Sequence, residues 1–158
     1  MSETLFMQAT GVPAATSAGE ITGLLVRAGA NQITTEYTNG RISGIRFSLP
    51  IAGTSYTFQL PARTEPVYKT LIKAKPYNSH RRRSLQQYEE DMRQSAERIG
   101  WRQLFRWVQA QIAVIDIGMV AAHEVFLPYM LVGRNQTVLQ MFEEKQFKML
   151  MAGKEGEQ

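Results

Sequence analysis

The chain has 158 residues, 44% of them hydrophobic and 20% charged, with 18 lysines and arginines against 14 acids for a net charge of +4. That composition can fill the core of one globular domain and excludes the disordered and collagen-like classes. The absence of cysteine excludes disulfides, thiolate nucleophiles and cysteine-type zinc sites, and fits a reducing compartment such as the cytoplasm.

Residues 1–15 are small, polar and aperiodic, and a mobile tail is expected there. Met1 to Phe6 lacks the basic and apolar regions of a secretory signal. Ser17 and Glu20 have the spacing of a capping box. They predict a short helix that carries Ile21, Leu24, Leu25 and Ala28 on one face and ends at Gly29 in the left-handed conformation. The period then changes to two. Ile33, Thr35 and Tyr37 alternate with polar residues, Asn39-Gly40 is a two-residue hairpin signal, and Ile45, Phe47 and Leu49 share one face of the return strand. Ile42 is out of phase with that set, so a bulge is expected at Gly44. Tyr56, Phe58 and Leu60 complete a three-stranded antiparallel meander whose apolar face helices should cover.

Thr64, Glu65 and Pro66 open a further helix with Val67, Tyr68, Leu71 and Ile72, which ends before Pro76. Tyr77 to Arg83 reads as a loop, and Ser84 with Gln87 as a capping box for a proline-free run from Ser84 to Val120. At roughly 100° per residue, Leu85, Tyr88, Met92, Ser95 and Ile99 lie on one side of that run. Trp101, Phe105, Val108, Ile112, Ile115 and Met119 lie on nearly the opposite side. The apolar face therefore switches at Gly100, through either a break there or one long helix whose halves bury opposite faces. From Ala110 onward the run is apolar on nearly every side, as a central buried helix is. The most apolar stretch, Val108 to Val132, includes Gln109, Gln111, Asp116, His123 and Glu124, which argues against a membrane span. After His123 to Met130, which Pro128 interrupts, Gly133-Arg134-Asn135 turns the chain into a last helix from about Gln136 to Ala152. Val138, Leu139, Phe142, Met149 and Leu150 are expected to face inward on it. The expected architecture is a single α+β domain over residues 16–152, with a charged tail at 153–158. Self-association is expected because the two faces of the long run, with Met141, Phe147 and Met151 off the main face of the last helix, exceed what one small core should absorb.

Leu24 to Ala30 running into Ile33 to Tyr37, then Trp101-Arg102 with Trp107-Val108-Gln109-Ala110-Gln111, then Glu124 to Tyr129, together resemble a group of small accessory proteins of phage and prophage type. The resemblance covers about residues 17 to 150. It implies a protein that acts on nucleic acid or on a host factor in the bacterial cytoplasm, and it implies no activity for any residue.

The functional signal with most chemistry in it lies between Tyr68 and Arg83, where six basic residues occur without an acid. Lys69, Lys73, Lys75, Tyr77, His80, Arg81, Arg82 and Arg83 combine phosphate-neutralising groups with rings able to stack on bases. The ordinary alternative is a solvated face. Arg81 to Arg83 would stand at the positive end of the long helix, where a cation costs about 0.3–1 kcal/mol, and a bound anion would offset that cost. Trp101, Phe105, Trp107 and Tyr129 read as core in preference to a stacking platform. Asp116 is the expected buried charge, in need of an arginine or another hydrogen-bonded partner. It reads as a structural ion pair before an acid/base pair with His123. The two histidines, His80 and His123, have no second ligand at metal spacing, and no glycine-rich phosphate loop occurs. No cofactor is expected. The reading is a non-enzymatic nucleic-acid-binding accessory protein. Its alternative is an inhibitor of the anti-defence kind that binds a host protein or a small anionic ligand.

Overall fold

The computed structural model describes residues 5–133 and 135–155. Its elements are α1 (Ala14–Arg27), β1 (Gln32–Thr38), β2 (Arg41–Ile51), β3 (Thr54–Pro61), α2 (Glu65–Ala74), α3 (Leu85–Asp116), α4 (Ala122–Phe126), a 3-10 turn Leu127–Tyr129, β4 (Leu131–Val132), β5 (Gln136–Thr137) and α5 (Val138–Glu155). This is the expected α+β meander with flanking helices. The short β4–β5 hairpin was not foreseen. It is a separate two-stranded sheet, and Met130, the residue just before it, makes an isolated antiparallel bridge to Phe58 of β3.

The turns follow their chemistry. Asn39 and Gly40 both have positive φ, as a two-residue hairpin of matching twist requires. The register slips between Glu36↔Gly44 and Tyr37↔Ile42, which leaves Ser43 as the extra residue of a bulge. Gly44 is needed there because a Cβ would stand 2.9 Å from the Leu60 carbonyl oxygen of the neighbouring strand. β2 and β3 pair in full register from Gly44↔Pro61 to Ile51↔Thr54.

The sheet buries Ile45, Phe47, Leu49, Phe58 and Leu60 against Ala18, Ile21 and Leu25 of α1 and against Trp101, Phe105, Val108 and Ile112 of α3. Phe47 and Phe58 stack at 5.3 Å, and Phe126 meets the edge of that stack. Trp101 is fully buried and donates Nε1 to the Ile42 carbonyl at 3.3 Å.

α3 has 32 residues, about 48 Å at 1.5 Å per residue, and Gly100 lies inside it without a break. The second of the two sequence alternatives therefore holds. Tyr88, Ala96 and Ile99 are buried on the first half and Trp101, Phe105, Val108 and Ile112 on the other face of the second. Each face has its own cover. Ala96 and Ile99 pack with Val67 and Leu71 of α2 in a second cluster that Leu5, Tyr68 and Met92 border.

Several expectations need correction. α1 begins at Ala14 behind Pro13, with no side-chain cap. Ser17 is buried within it and Glu20 ion-pairs with Arg102, so the two do not form a capping box. Leu5 packs on the second cluster and Gln103 donates Nε2 to the Phe6 carbonyl, so part of the expected tail lies against the domain. α3 stops at Asp116, where Gly118 has positive φ and the amides of Gly118 and Met119 return to the carbonyls of Ile115 and Val114. Its last turns are not central, because Ala110 and Ala113 are exposed. Met119 lies beyond the helix and is 68% exposed. Phe142, expected inward, is also exposed. Arg134 and the side chains of Phe147, Met149 and Leu150 lie outside the described residues. α5 starts with a capping box that sequence reasoning missed. Thr137 accepts from the Gln140 amide at 3.2 Å, and Gln140 Oε1 accepts from the Thr137 amide at 2.9 Å. Among the described residues, no helix is long and apolar enough to cross a membrane.

Candidate nucleic-acid interface

The basic stretch occupies the end of α2, the loop 75–84 and the start of α3. Pro76 ends α2 because it forces the residue before it out of helical geometry, and Lys75 has φ −132° and ψ 72°. Three contacts then fix the path of the loop. Tyr88 donates its hydroxyl to the Lys75 carbonyl at 2.6 Å, which ties the end of α2 to the first turn of α3. Tyr77 donates its hydroxyl to the Arg83 carbonyl at 3.1 Å. Asn78 accepts from the His80 amide through Oδ1 and from the Arg81 amide through its carbonyl, which forms a tight turn. Ser84 caps α3 by accepting from the Gln87 amide at 3.1 Å, one half of the expected capping box.

Folded this way, the loop and helix enclose a notch of about 520 Å³. Tyr88 and Met92 line it from α3, Tyr77 and Pro76 from the loop, and Lys75, Arg81 and Arg83 supply its charge. The rings of Tyr77 and Tyr88 lie 5.5 Å apart and are tilted by 53°. The volume falls within the roughly 300–1,000 Å³ range of small-ligand sites, although this notch is open to solvent.

Of the eight sequence candidates, Lys75, Tyr77, Arg81 and Arg83 line the notch, and Lys69, Lys73, His80 and Arg82 do not. Arg83 differs from its neighbours. It is half-buried, forms an ion pair with Asp91 and lies over the Tyr88 ring at 5.8 Å. Asp91 thus removes the cost of one arginine at the positive end of α3 without any bound anion. Tyr68 is also occupied, with Arg93 over its ring at 4.1 Å.

The other five cations are different. Lys69, Lys73, Lys75, Arg81 and Arg82 are exposed, and none of them is ion-paired among the described residues. Arg27, Arg41, Arg46, Arg93 and Arg102 elsewhere each hold a carboxylate. Arg41 donates to Glu97 and Glu90 at 2.7 Å. Its guanidinium is thereby held above its ordinary value, by the Glu97 bond first and the Glu90 bond second. The same contact, followed by that from Gln94, lowers the Glu90 carboxyl. These pairs join elements of the fold, and the five free cations join none.

Asp116 is not the buried charge expected. Its side chain is 43% exposed and pairs with Arg27 at 3.4 Å, across the ends of α1 and α3. His123 sits on α4 beyond the Gly118 turn, and among the described residues no hydrogen bond joins it to Asp116. Trp101 and Phe105 are buried and Trp107 and Tyr129 partly so, in agreement with the core reading. No group of described residues has the make-up of a metal site.

The reading from composition missed Tyr88, Met92, Asn78 and Asp91. Tyr88 and Met92 looked only like core positions of α3, and their place in the notch depends on where Pro76 turns the chain. No family model matches this chain, and no curated protein or solved structure matches it.

Proposed function

We propose that this is a non-enzymatic accessory protein of phage type that binds nucleic acid through Lys69, Lys73, Lys75, Arg81 and Arg82. The observation that carries this reading is that these five cations, close together in the chain, are exposed and unpaired, whereas Arg27, Arg41, Arg46, Arg93 and Arg102 are tied to carboxylates. Arg63, Arg98 and Arg106 also lack an ion pair among the described residues, but they lie outside the stretch. Unpaired cations clustered on one end of a fold attract a polyanion, and each phosphate contact releases counterions. Five contacts imply a slope of about 3.5 to 4.5 in a log-log plot of affinity against salt. Replacing Lys69, Lys73 and Arg82 by alanine, three residues outside the notch, should flatten that slope by about 2 to 3 and weaken unrelated sequences alike. A wild type that binds no oligonucleotide at low salt, or a triple variant with an unchanged slope, would refute it.

A second reading, an anti-defence inhibitor that binds a host factor or a small anionic ligand, draws on the notch itself, which combines Lys75 and Arg81 with two tyrosines. Self-association belongs to the proposal too. The covered faces of α3 remove one of its grounds, and what supports it now is the exposure of Phe142 and Met151 on α5. Light scattering that finds a strict monomer at high concentration would remove the rest.

A further inference from the structure

We infer that the notch lined by Tyr77 and Tyr88 receives one unstacked nucleotide, so that the protein prefers single-stranded nucleic acid to duplex. The inference rests on the nucleic-acid reading above and adds a selectivity to it. Five free cations alone would not distinguish strands, because phosphates are common to both. The notch can distinguish them.

Its chemistry is divided as a nucleotide is. Tyr77 is 38% exposed, and its hydroxyl is engaged with the Arg83 carbonyl, so the ring is held in place by its polar end. Tyr88 and Met92 form an apolar floor behind it. Arg83, neutralised by Asp91, lines the wall, whereas Lys75 and Arg81 carry unpaired charge. A base can therefore lie against the Tyr77 ring with its phosphate between Lys75 and Arg81. The adjoining phosphates would then run toward Lys69, Lys73 and Arg82, and for this reason a strand suits the surface better than a free nucleotide. In a duplex the bases are stacked and paired, and neither face is available to a side chain. A duplex would meet only the surrounding charges.

Stacking of a base on an aromatic side chain contributes about 1–3 kcal/mol, which is roughly 5- to 140-fold in affinity. The test is fluorescence anisotropy with a labelled oligothymidylate of about 12 nucleotides, within the usual site size, and a duplex of equal length. The wild type should bind the single strand more tightly. Tyr77→Ala should weaken the single strand by roughly 5- to 140-fold while duplex affinity and the salt slope stay unchanged. Tyr77→Phe loses the same hydroxyl contact with the Arg83 carbonyl but keeps the ring and its place beside Tyr88. It should therefore retain the preference, which assigns the loss in Tyr77→Ala to stacking and not to a loosened loop. The inference is overturned if the wild type binds both substrates equally, if Tyr77→Ala leaves single-strand affinity unchanged, or if it weakens both alike. Displacement of the strand by AMP as effective as that by unlabelled oligonucleotide would also overturn it, in favour of a free nucleotide as ligand. Binding to neither substrate would refute the underlying nucleic-acid reading itself, an outcome distinct from all of these.

Discussion

Gly100 lies in the middle of α3, between the half that packs on α2 and the half that packs on the sheet, and replacing it by alanine tests whether α3 is one rod. In an unstrained helix interior, alanine is favoured over glycine by about 0.8–1 kcal/mol. Against that gain stands one contact. The new Cβ would lie 3.0 Å from Thr64 Cγ2 and 3.7 Å from Thr64 Cα and Cβ. Only the methyl is too close, and the Thr64 side chain makes no capping hydrogen bond, so it can yield by a few tenths of an ångström. Gly100→Ala alone should therefore fall within about 0.5 kcal/mol of the wild type, the propensity gain and the contact nearly cancelling. In a Thr64→Ser background the methyl is gone, and the full gain of about 1 kcal/mol should appear as a rise of roughly 2–4 °C in Tm. Thermal and urea unfolding of the four proteins closes a double-mutant cycle in which the coupling is the contact itself. If Gly100→Ala lowers stability in the Thr64→Ser background, the backbone at Gly100 does something a plain helix does not, and the picture of one continuous rod is wrong.

Three further outcomes follow from the packing and charge. Trp101→Ala should cost about 3–5 kcal/mol in urea unfolding, since the ring is fully buried and its loss also strands the Ile42 carbonyl. Trp101→Phe should cost clearly less. Thr137→Ala should destabilise by about 1 kcal/mol through loss of the cap, and exchange of the first α5 amides, Gln140 above all, should quicken more than exchange in α3. The Glu90 carboxyl is lowered from 4.5 chiefly by Arg41, so the stability it lends is complete above that value and is lost as pH falls through the lower folded value. Arg41→Met should accordingly flatten the acid limb of the stability profile, measured as the urea midpoint from pH 7 downward, and a limb of unchanged steepness would contradict the pairing.

The parts of the fold that were legible in sequence are those where local chemistry decides the outcome. Asn39-Gly40 dictates its turn, the phase slip at Ile42 announces the bulge at Gly44, and the change of face at Gly100 is visible in the spacing of Tyr88, Met92, Ile99, Trp101 and Phe105. The misreadings share another cause. Ser17 and Glu20 have capping-box spacing, yet the helix starts earlier, behind Pro13, whose carbonyl accepts from the Thr16 and Ser17 amides, and Glu20 gains an ion pair with Arg102 that no local pattern encodes. Asp116 looked buried because isoleucines flank it, whereas the helix ends there and turns it toward Arg27. In the basic stretch, composition gives the charge but not its partition. Asp91 lies eight residues after Arg83, across a cap and two helical turns, and nothing in the spacing separates Arg83, which it neutralises, from Arg81 and Arg82, which remain free.

That partition also explains how a small surface loop can hold a defined shape. The main core lies beneath the sheet and the second half of α3, and no residue of the notch belongs to its buried set. The notch is held by the smaller cluster of Val67, Leu71, Ala96 and Ile99, and Met92 both borders that cluster and lines the notch. A site supported by so few buried side chains gains little from hydrophobic burial, at about 25 cal/mol per Å², and relies on directed contacts for its order. Those contacts are the Tyr88 hydroxyl on the Lys75 carbonyl, the Tyr77 hydroxyl on the Arg83 carbonyl, and the Arg83–Asp91 pair. The two tyrosine hydroxyls fix backbone and the third contact joins two side chains, and all three leave the ammonium of Lys75 and the guanidinium of Arg81 unengaged. The cations that remain free are thus the ones the loop does not need for its own structure, and this makes them available to a phosphate.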